Sequence, residues 1–119
     1  MTKKPCGIVM LYDRSEGDPQ KVSKKFSESF SDVTENLFKQ ELIGLSELKE
    51  IITSRKIYWA GIKEKFSEIL EDTETLGGLV RKVFMDHSGT EPSDEVKCLI
   101  YDGEKAPWGY SIVAGVVYE

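Results

Sequence analysis

The chain has 119 residues, of which 39 % are hydrophobic and 31 % charged, and its net charge is −5. This length suits one domain, 1–119, and the content of aliphatic and aromatic residues is too high for an intrinsically disordered chain. Residues 1–60 carry ten Lys or Arg against nine Asp or Glu, whereas residues 61–119 carry six against twelve. We therefore expect no nucleic-acid partner, because binding through a basic face needs several phosphate contacts.

The beginning of the chain lacks the pattern of a secretory signal, because its apolar run "CGIVMLY" is short and ends at Asp13. No apolar stretch approaches the roughly 20 residues that span a bilayer. We expect a cytoplasmic protein with no membrane partner, in which the thiols of Cys6 and Cys98 are reduced and buried. If the two cysteines lie on adjacent strands, a disulfide between them is the alternative.

Residues 6–12 predict a strand that is covered on both sides, because apolar residues occupy both of its faces. A helix then begins with Asp18 as its cap and Pro19 in its first turn. Gly44 is predicted to end this segment. The helix presents one apolar stripe, formed by Val22, Phe26, Phe30, Val33 and Leu37.

Ser46 is the predicted cap of a second helix, which runs from about residue 46 to about residue 71. An interruption near residues 53–56 is the alternative, because "SRKIYWAGI" contains β-branched and aromatic residues and Gly61 costs a helix about 1 kcal/mol relative to alanine. The positions that recur with a helical period are Leu48, Ile52, Arg55, Trp59, Ile62, Phe66 and Ile69.

A third helix is predicted to begin after Asp72 or Thr73 and to end at Gly89 in the left-handed conformation. Two strands follow, at residues 95–103 and 108–119, and form a hairpin with a long turn. This order predicts an α+β fold: an N-terminal strand, three to four helices and a C-terminal β-hairpin, with a small, mostly antiparallel sheet packed against the helices. The last strand is apolar on both faces, which indicates a central strand or contact with another chain. Since three strands leave two open edges, a homodimer is a working hypothesis.

Two acidic or thiol-containing patterns fit metal or nucleotide sites poorly. The segment "DRSEGD" departs from the calcium-loop spacing, and its single glycine among three acids does not suit a phosphate loop. Two cysteines and one histidine without close paired spacing do not match a zinc site. We expect no metal and no cofactor.

His87 is the only histidine and lies in "FMDHSGTEPSDE". A position near the carboxyl end of the predicted helix is a sufficient structural explanation for His87 without a catalytic role, because the helix dipole favours imidazolium there. The functional alternative is a general base at the rim of a pocket that Asp13 and Cys6 also reach. A Cys–His nucleophile is disfavoured, because a buried thiol is poorly reactive.

The segment "EKAPWGY" is the strongest candidate for partner binding. Lys105, Pro107, Trp108 and Tyr110 combine a stiff loop with the aromatic residues that dominate interface hot spots. The alternative is that Trp108 folds back over the core. The sequence therefore predicts a small interaction or regulatory module rather than an enzyme, with a protein partner bound by this loop and by the face or edge of the sheet. A small-molecule-binding or enzymatic domain, with the pocket of Asp13, His87 and Cys6 between helices and sheet, is the second hypothesis.

Overall fold

The computed structural model describes residues 3–13, 19–63, 66–101 and 111–119. Within these ranges the chain forms four strands, three longer helices and one single helical turn. In chain order they are β1 (Pro5–Asp13), α1 (Pro19–Lys39), α2 (Leu45–Thr53), β2 (Ile57–Ile62), α3 (Phe66–Ile69), α4 (Thr73–Ser88), β3 (Val96–Tyr101) and β4 (Ile112–Tyr118).

The four strands form one mixed sheet in the order β2-β1-β4-β3. β1 pairs in parallel with β2, and β4 pairs antiparallel with both β1 and β3. The predicted α+β arrangement is present, and β4 is central as predicted. The sheet nevertheless has four strands rather than three, because the segment after α2 adds an edge strand beside β1.

That edge strand corrects the prediction of one continuous helix over residues 46–71. α2 ends at Thr53, and β2 occupies Ile57–Ile62. The break falls at residues 53–56, where the alternative prediction put it. Its physical reason is the run Ile57, Tyr58 and Trp59, whose β-branched and aromatic side chains fit a half-buried strand better than a helix.

The end of α1 also differs from the prediction. Glu41, rather than Gly44, adopts the left-handed conformation after α1, with φ of 61°. Gly44 instead caps the start of α2 in an extended conformation, where Ser46 was expected. α1 is 21 residues long.

In the described ranges no helix combines the length and the apolar character that a bilayer span requires.

α4 has the termini that the sequence predicts. The Asp72 carboxylate accepts a hydrogen bond from the Thr75 backbone N–H at 3.1 Å, which satisfies one of the unpaired donors of the first turn. At the other end Gly89 has φ of 71°, and its N–H donates to the Met85 carbonyl at 2.9 Å. The helix therefore stops at the residue type that adopts this conformation without a Cβ clash.

Helices cover the sheet on both faces, so that β1 and β4 are buried from two sides. α1 and α2 cover one face, where the core includes Ile8, Met10, Val33, Leu37, Leu48 and Ile51. α3 and α4 cover the other, where it includes Val9, Leu11, Phe66, Leu76, Val80 and Phe84. Each such aliphatic or aromatic side chain contributes about 1.5–3 kcal/mol when fully buried. The side chains of Val22 and Phe26, part of the predicted stripe on α1, lie outside the described set.

Candidate functional site

The three residues predicted to share a pocket lie at two ends of the sheet. Cys6 and Asp13 are at opposite ends of β1, seven residues apart, which corresponds to roughly 23 Å at about 3.3 Å per residue. His87 is in the last turn of α4. The structure brings Cys6 close to that helix end and separates Asp13 from both.

Cys6 lines a cleft of about 200 Å³ between the amino end of β1 and the end of α4. Tyr58 and Phe84 also line it, and the His87 ring stacks on Tyr58 with 5.7 Å between ring centroids. Burial raises the pKa of the Cys6 thiol. This shift lowers the thiolate fraction at neutral pH and so disfavours Cys6 as a nucleophile.

Cys98 is a second thiol in an unreactive setting. Burial raises its pKa to about 11. Cys98 pairs with Gly115 of β4, and β4 separates it from β1. Two strand spacings of about 4.8 Å exceed the usual Cα separation of a disulfide, and both thiols are free.

Asp13 lies at the carboxyl ends of the two parallel strands, opposite Ile62 of β2. It is only 8 % exposed. The helix that follows β1 in the chain, α1, packs on one face of the sheet, and the helices that follow β2, α3 and α4, pack on the other. Open α/β sheets bind ligands at the carboxyl ends of two neighbouring parallel strands that are followed by helices on opposite faces. Residues 14–18 and 64–65, which adjoin this point, lie outside the described ranges.

The predicted partner-binding loop also lies outside the described ranges, so that Lys105, Pro107, Trp108 and Tyr110 have no described geometry. Its attachment points are described: Tyr101 pairs with Ile112 at the end of the β3–β4 ladder. Ile112 pairs in turn with Tyr12, beside Asp13. The loop thus leaves the sheet at the same end as Asp13.

β2 forms one of the two outer edges of the described sheet. β2 is last in the strand order, and its six residues, IYWAGI, include no charged residue and no proline. The opposite edge strand, β3, carries the exposed Lys97, a residue type that discourages edge pairing. Of the two edges, β2 is therefore the better template for an added strand.

The hydrogen-bond pattern shows which backbone groups face outward. The Ile8 N–H donates to the Lys56 carbonyl at 3.0 Å, and Ile8 stands opposite Ile57 in the parallel register. In a parallel ladder, alternate residues direct both backbone groups to the neighbouring strand, and those between them direct theirs away. Ile57 and Gly61 consequently direct their N–H and C=O groups toward the outer edge.

An apolar groove of about 350 Å³ runs beside this edge on the face covered by α1 and α2. Its floor is formed by Ile57 and Trp59 of β2, and its walls by Phe30 of α1 and Ile52 of α2. Ile52 remains 39 % exposed. The groove thus exposes apolar side chains along the strand whose backbone groups face outward.

Cationic residues stand at both ends of β2. Arg55 and Lys56 precede the strand and Lys63 follows it, and all three are exposed. Arg55 also lines the groove. The chain as a whole carries a net charge of −5, so this local positive charge is a property of the edge and not of the overall composition.

The sequence indicated the elements of this site but not the site itself. "IYWAGI" contains strand-forming residues, and reading it as a strand would have placed basic residues at both of its ends. The groove depends on contacts between α1, α2 and β2, which no local pattern specifies.

Among the described residues no group of three or more His, Cys, Asp or Glu is arranged to hold a metal ion. Comparisons with protein-family models, with curated proteins and with solved structures gave no match for this chain.

Proposed function

We propose that the protein is an interaction module that binds an extended segment of a partner protein as an additional strand along β2. The observation that carries this proposal is the juxtaposition of an edge strand with outward-facing backbone groups and an apolar groove on the same strand. In strand addition, main-chain hydrogen bonds supply affinity, and pockets for alternate side chains supply specificity.

The groove supplies the side-chain part of such an interface. Side chains of an added strand alternate between the two faces of the sheet, so that every second one would lie on the groove side, near Trp59 and Ile52. Tryptophan is enriched among residues that dominate binding energy. Burial of these apolar side chains by the partner would contribute about 25 cal/mol per Å² before the entropy losses of association.

A proline at an outward-facing position of β2 tests the proposal. Gly61→Pro removes an N–H that points away from β1, so the ladder to β1 is retained, and proline is tolerated on edge strands. Gly61→Ala keeps the N–H and is the matched control. Peptides selected from a displayed library of random decapeptides should bind the wild type and Gly61→Ala, and should bind Gly61→Pro at least tenfold more weakly by fluorescence anisotropy.

Two results would contradict strand addition. Selected peptides could bind Gly61→Pro as tightly as the wild type, or the library could yield no binder. Amide hydrogen exchange provides a direct readout, because a bound strand should protect the Ile57 and Gly61 amides while leaving those of the β3 edge unchanged.

We also propose a second contact surface in the loop that follows β3, at Lys105, Pro107, Trp108 and Tyr110. The support is its composition, since tyrosine and tryptophan bring large contact area at low entropic cost. Trp108→Ala should weaken binding of a partner protein while leaving the midpoint of urea unfolding nearly unchanged. A large loss of stability would instead place Trp108 in the core.

A small-molecule site is the second candidate function, and the position of the buried residue Asp13 where the two parallel strands end favours it. Native mass spectrometry of the purified protein tests it. A retained ligand that Asp13→Asn releases would support this candidate, whereas identical bare masses for both proteins would count against it.

A further inference from the structure

We propose that the segment recognised along β2 is an apolar strand bordered by acidic residues on both sides. This inference rests on the strand-addition function proposed above and adds the chemical class of the partner. It is carried by the exposed cations at the two ends of β2 and by the apolar groove between them.

Arg55 and Lys63 carry most of the charge argument. Neither takes part in an ion pair among the described residues, where the two salt bridges join Lys39 to Glu35 and Arg81 to Asp94. Lys56 contributes less, because it shares a small cleft with acidic residues of α2 and with Glu119. An extended partner would meet one unpaired cation near each of its ends.

The spacing of the cations sets the spacing of the acids. β2 has six residues, and Arg55 and Lys63 stand just outside it. Since Arg55 and Lys63 are eight positions apart and both strands rise by about 3.3 Å per residue, a partner strand in register with β2 needs acidic residues about eight positions apart. Both chain directions satisfy this requirement, because both ends of β2 are cationic.

The residues between the acids should be apolar at alternate positions. The groove is bounded by Phe30, Ile52, Ile57 and Trp59, with Ser27 and Arg55 at its polar margin. A polar side chain directed among the apolar residues would lose its hydration, because the hydrogen-bonding groups of Ser27 and Arg55 lie at the margin of the groove. Aliphatic side chains would instead remove apolar surface from water.

The same charges disfavour a second copy of this chain as the occupant. Two β2 strands related by a twofold axis pair antiparallel, which brings Arg55 and Lys56 of one copy opposite Lys63 of the other. Like charges placed opposite each other destabilise a strand pair. An acidic partner converts each of these repulsions into an attraction.

Three synthetic decapeptides test the inference. All have the same six-residue core of alternating Val and Thr, and their paired flanking residues are Glu, Gln or Lys. By fluorescence anisotropy at low salt, the Glu-flanked peptide should bind the wild type at least tenfold more tightly than the Lys-flanked one, with the Gln-flanked peptide between them. The difference should shrink at high salt, because exposed charges are screened.

Charge-reversed variants locate the preference. At a protein concentration at which light scattering shows it to be monomeric, Lys63→Glu should remove most of the discrimination between the Glu- and Lys-flanked peptides. Lys82→Glu, which makes the same change in net charge on α4, should leave it intact. Equal binding of the three peptides, tighter binding of the Lys-flanked peptide, or no binding of any would each overturn the acidic preference.

The two proposals fail in different ways. If the three peptides bind equally and Gly61→Pro abolishes that binding, strand addition stands and the acidic preference is wrong. If the Glu-flanked peptide binds best and Gly61→Pro has no effect, the charges attract the peptide to a surface other than the β2 edge. Loss of library binders altogether would remove strand addition itself.

Discussion

Glu41 and Arg55 occupy the position after a helix that glycine usually fills. Their φ values are 61° and 57°. In each case two backbone bonds close the helix end: Leu42 donates to Leu37 and Glu41 to Phe38, and Lys56 donates to Ile51 and Arg55 to Ile52. This is the Schellman pattern, and a residue with a side chain loses about 1 kcal/mol by adopting its left-handed conformation.

This pair gives a test that separates a binding role of Arg55 from a structural one. Arg55→Gly should raise the free energy of unfolding by up to about 1 kcal/mol, because glycine relieves the strained conformation and the larger entropy of its unfolded chain offsets part of the gain. It should also weaken binding of the Glu-flanked peptide about threefold or more.

Glu41→Gly is the matched control for that measurement, because it relieves the same strain at an exposed position away from the groove. Urea unfolding should show a similar gain in stability, and peptide affinity should stay at the wild-type value. If both glycine variants leave peptide binding unchanged, Arg55 has no part in recognition.

Cys98 should react slowly with alkylating reagents. Its pKa is raised to about 11 from 9.0 by burial, which lowers the thiolate fraction near pH 8 by about a hundredfold, while the higher intrinsic nucleophilicity recovers about tenfold. Iodoacetamide labelling followed by mass spectrometry should therefore show Cys98 reacting about tenfold or more below its rate in the urea-unfolded chain. Equal rates in the folded and unfolded states would show that the site is open to water.

At the scale of elements, the packing of α4 on the central strand β4 depends on a missing side chain. A Cβ added to Gly115 would lie 2.7 Å from one methyl carbon of Val80 and 2.8 Å from the other. Gly115 faces Val9 of β1 and Cys98 of β3 in the sheet, so the strand cannot move away. The absence of a side chain at Gly115 thus sets how closely α4 approaches β4 at this point.

Gly115→Ala should lower the free energy of unfolding by about 1–3 kcal/mol, the usual effect of overpacking a core. Val80→Ala alone should be destabilising as well, because it removes buried methyl groups. The double variant should be more stable than the sum of the two changes predicts, since the smaller residue at 80 makes room for the new methyl group. Simple additivity in urea unfolding would contradict the contact.

The elements also show where sequence patterns suffice and where they do not. α4 could be predicted at both ends, because Asp72 and Gly89 act on their own neighbours. The helical period over residues 46–71 predicted one long helix, which is wrong. The structure does bury the residues that recur with this period, but it does so in a strand, β2, for Trp59 and Ile62, and in a single helical turn, α3, for Phe66 and Ile69. When nearly every position of a segment is apolar, the pattern of apolar residues does not distinguish the helical period of about 3.6 residues from the strand period of 2.

At the scale of the molecule, the sequence predicted a first strand buried on both faces and a last strand that is either central or in contact with another chain. The structure confirms the first prediction and has β4 inside the sheet, which is the first of the two alternatives. The parallel pairing of β1 with β2 could not be predicted, because it joins Ile8 to Ile57 across two helices. The candidate site follows from that pairing, which places "IYWAGI" at an edge and turns Trp59 toward the groove. Asp13 and Cys6 do not share a pocket, because they lie at opposite ends of β1, and a strand of nine residues holds its two ends far apart.

The charge pattern of the β2 edge makes a prediction about oligomeric state that reaches beyond the peptide experiments. The wild type should be a monomer at micromolar concentration in size-exclusion chromatography with light scattering, because twofold pairing of β2 opposes Arg55 and Lys56 to Lys63. Lys63→Glu places a negative charge opposite Arg55 and Lys56 of the second copy, so that the two β2 edges attract each other. This variant should show concentration-dependent dimerisation at low salt, which high salt weakens and which a second change, Gly61→Pro, abolishes. A dimer of the wild type that survives Gly61→Pro would mean that the chain associates through another surface, whereas a dimer that Gly61→Pro disrupts would show that backbone pairing along β2 outweighs the repulsion of its flanking charges.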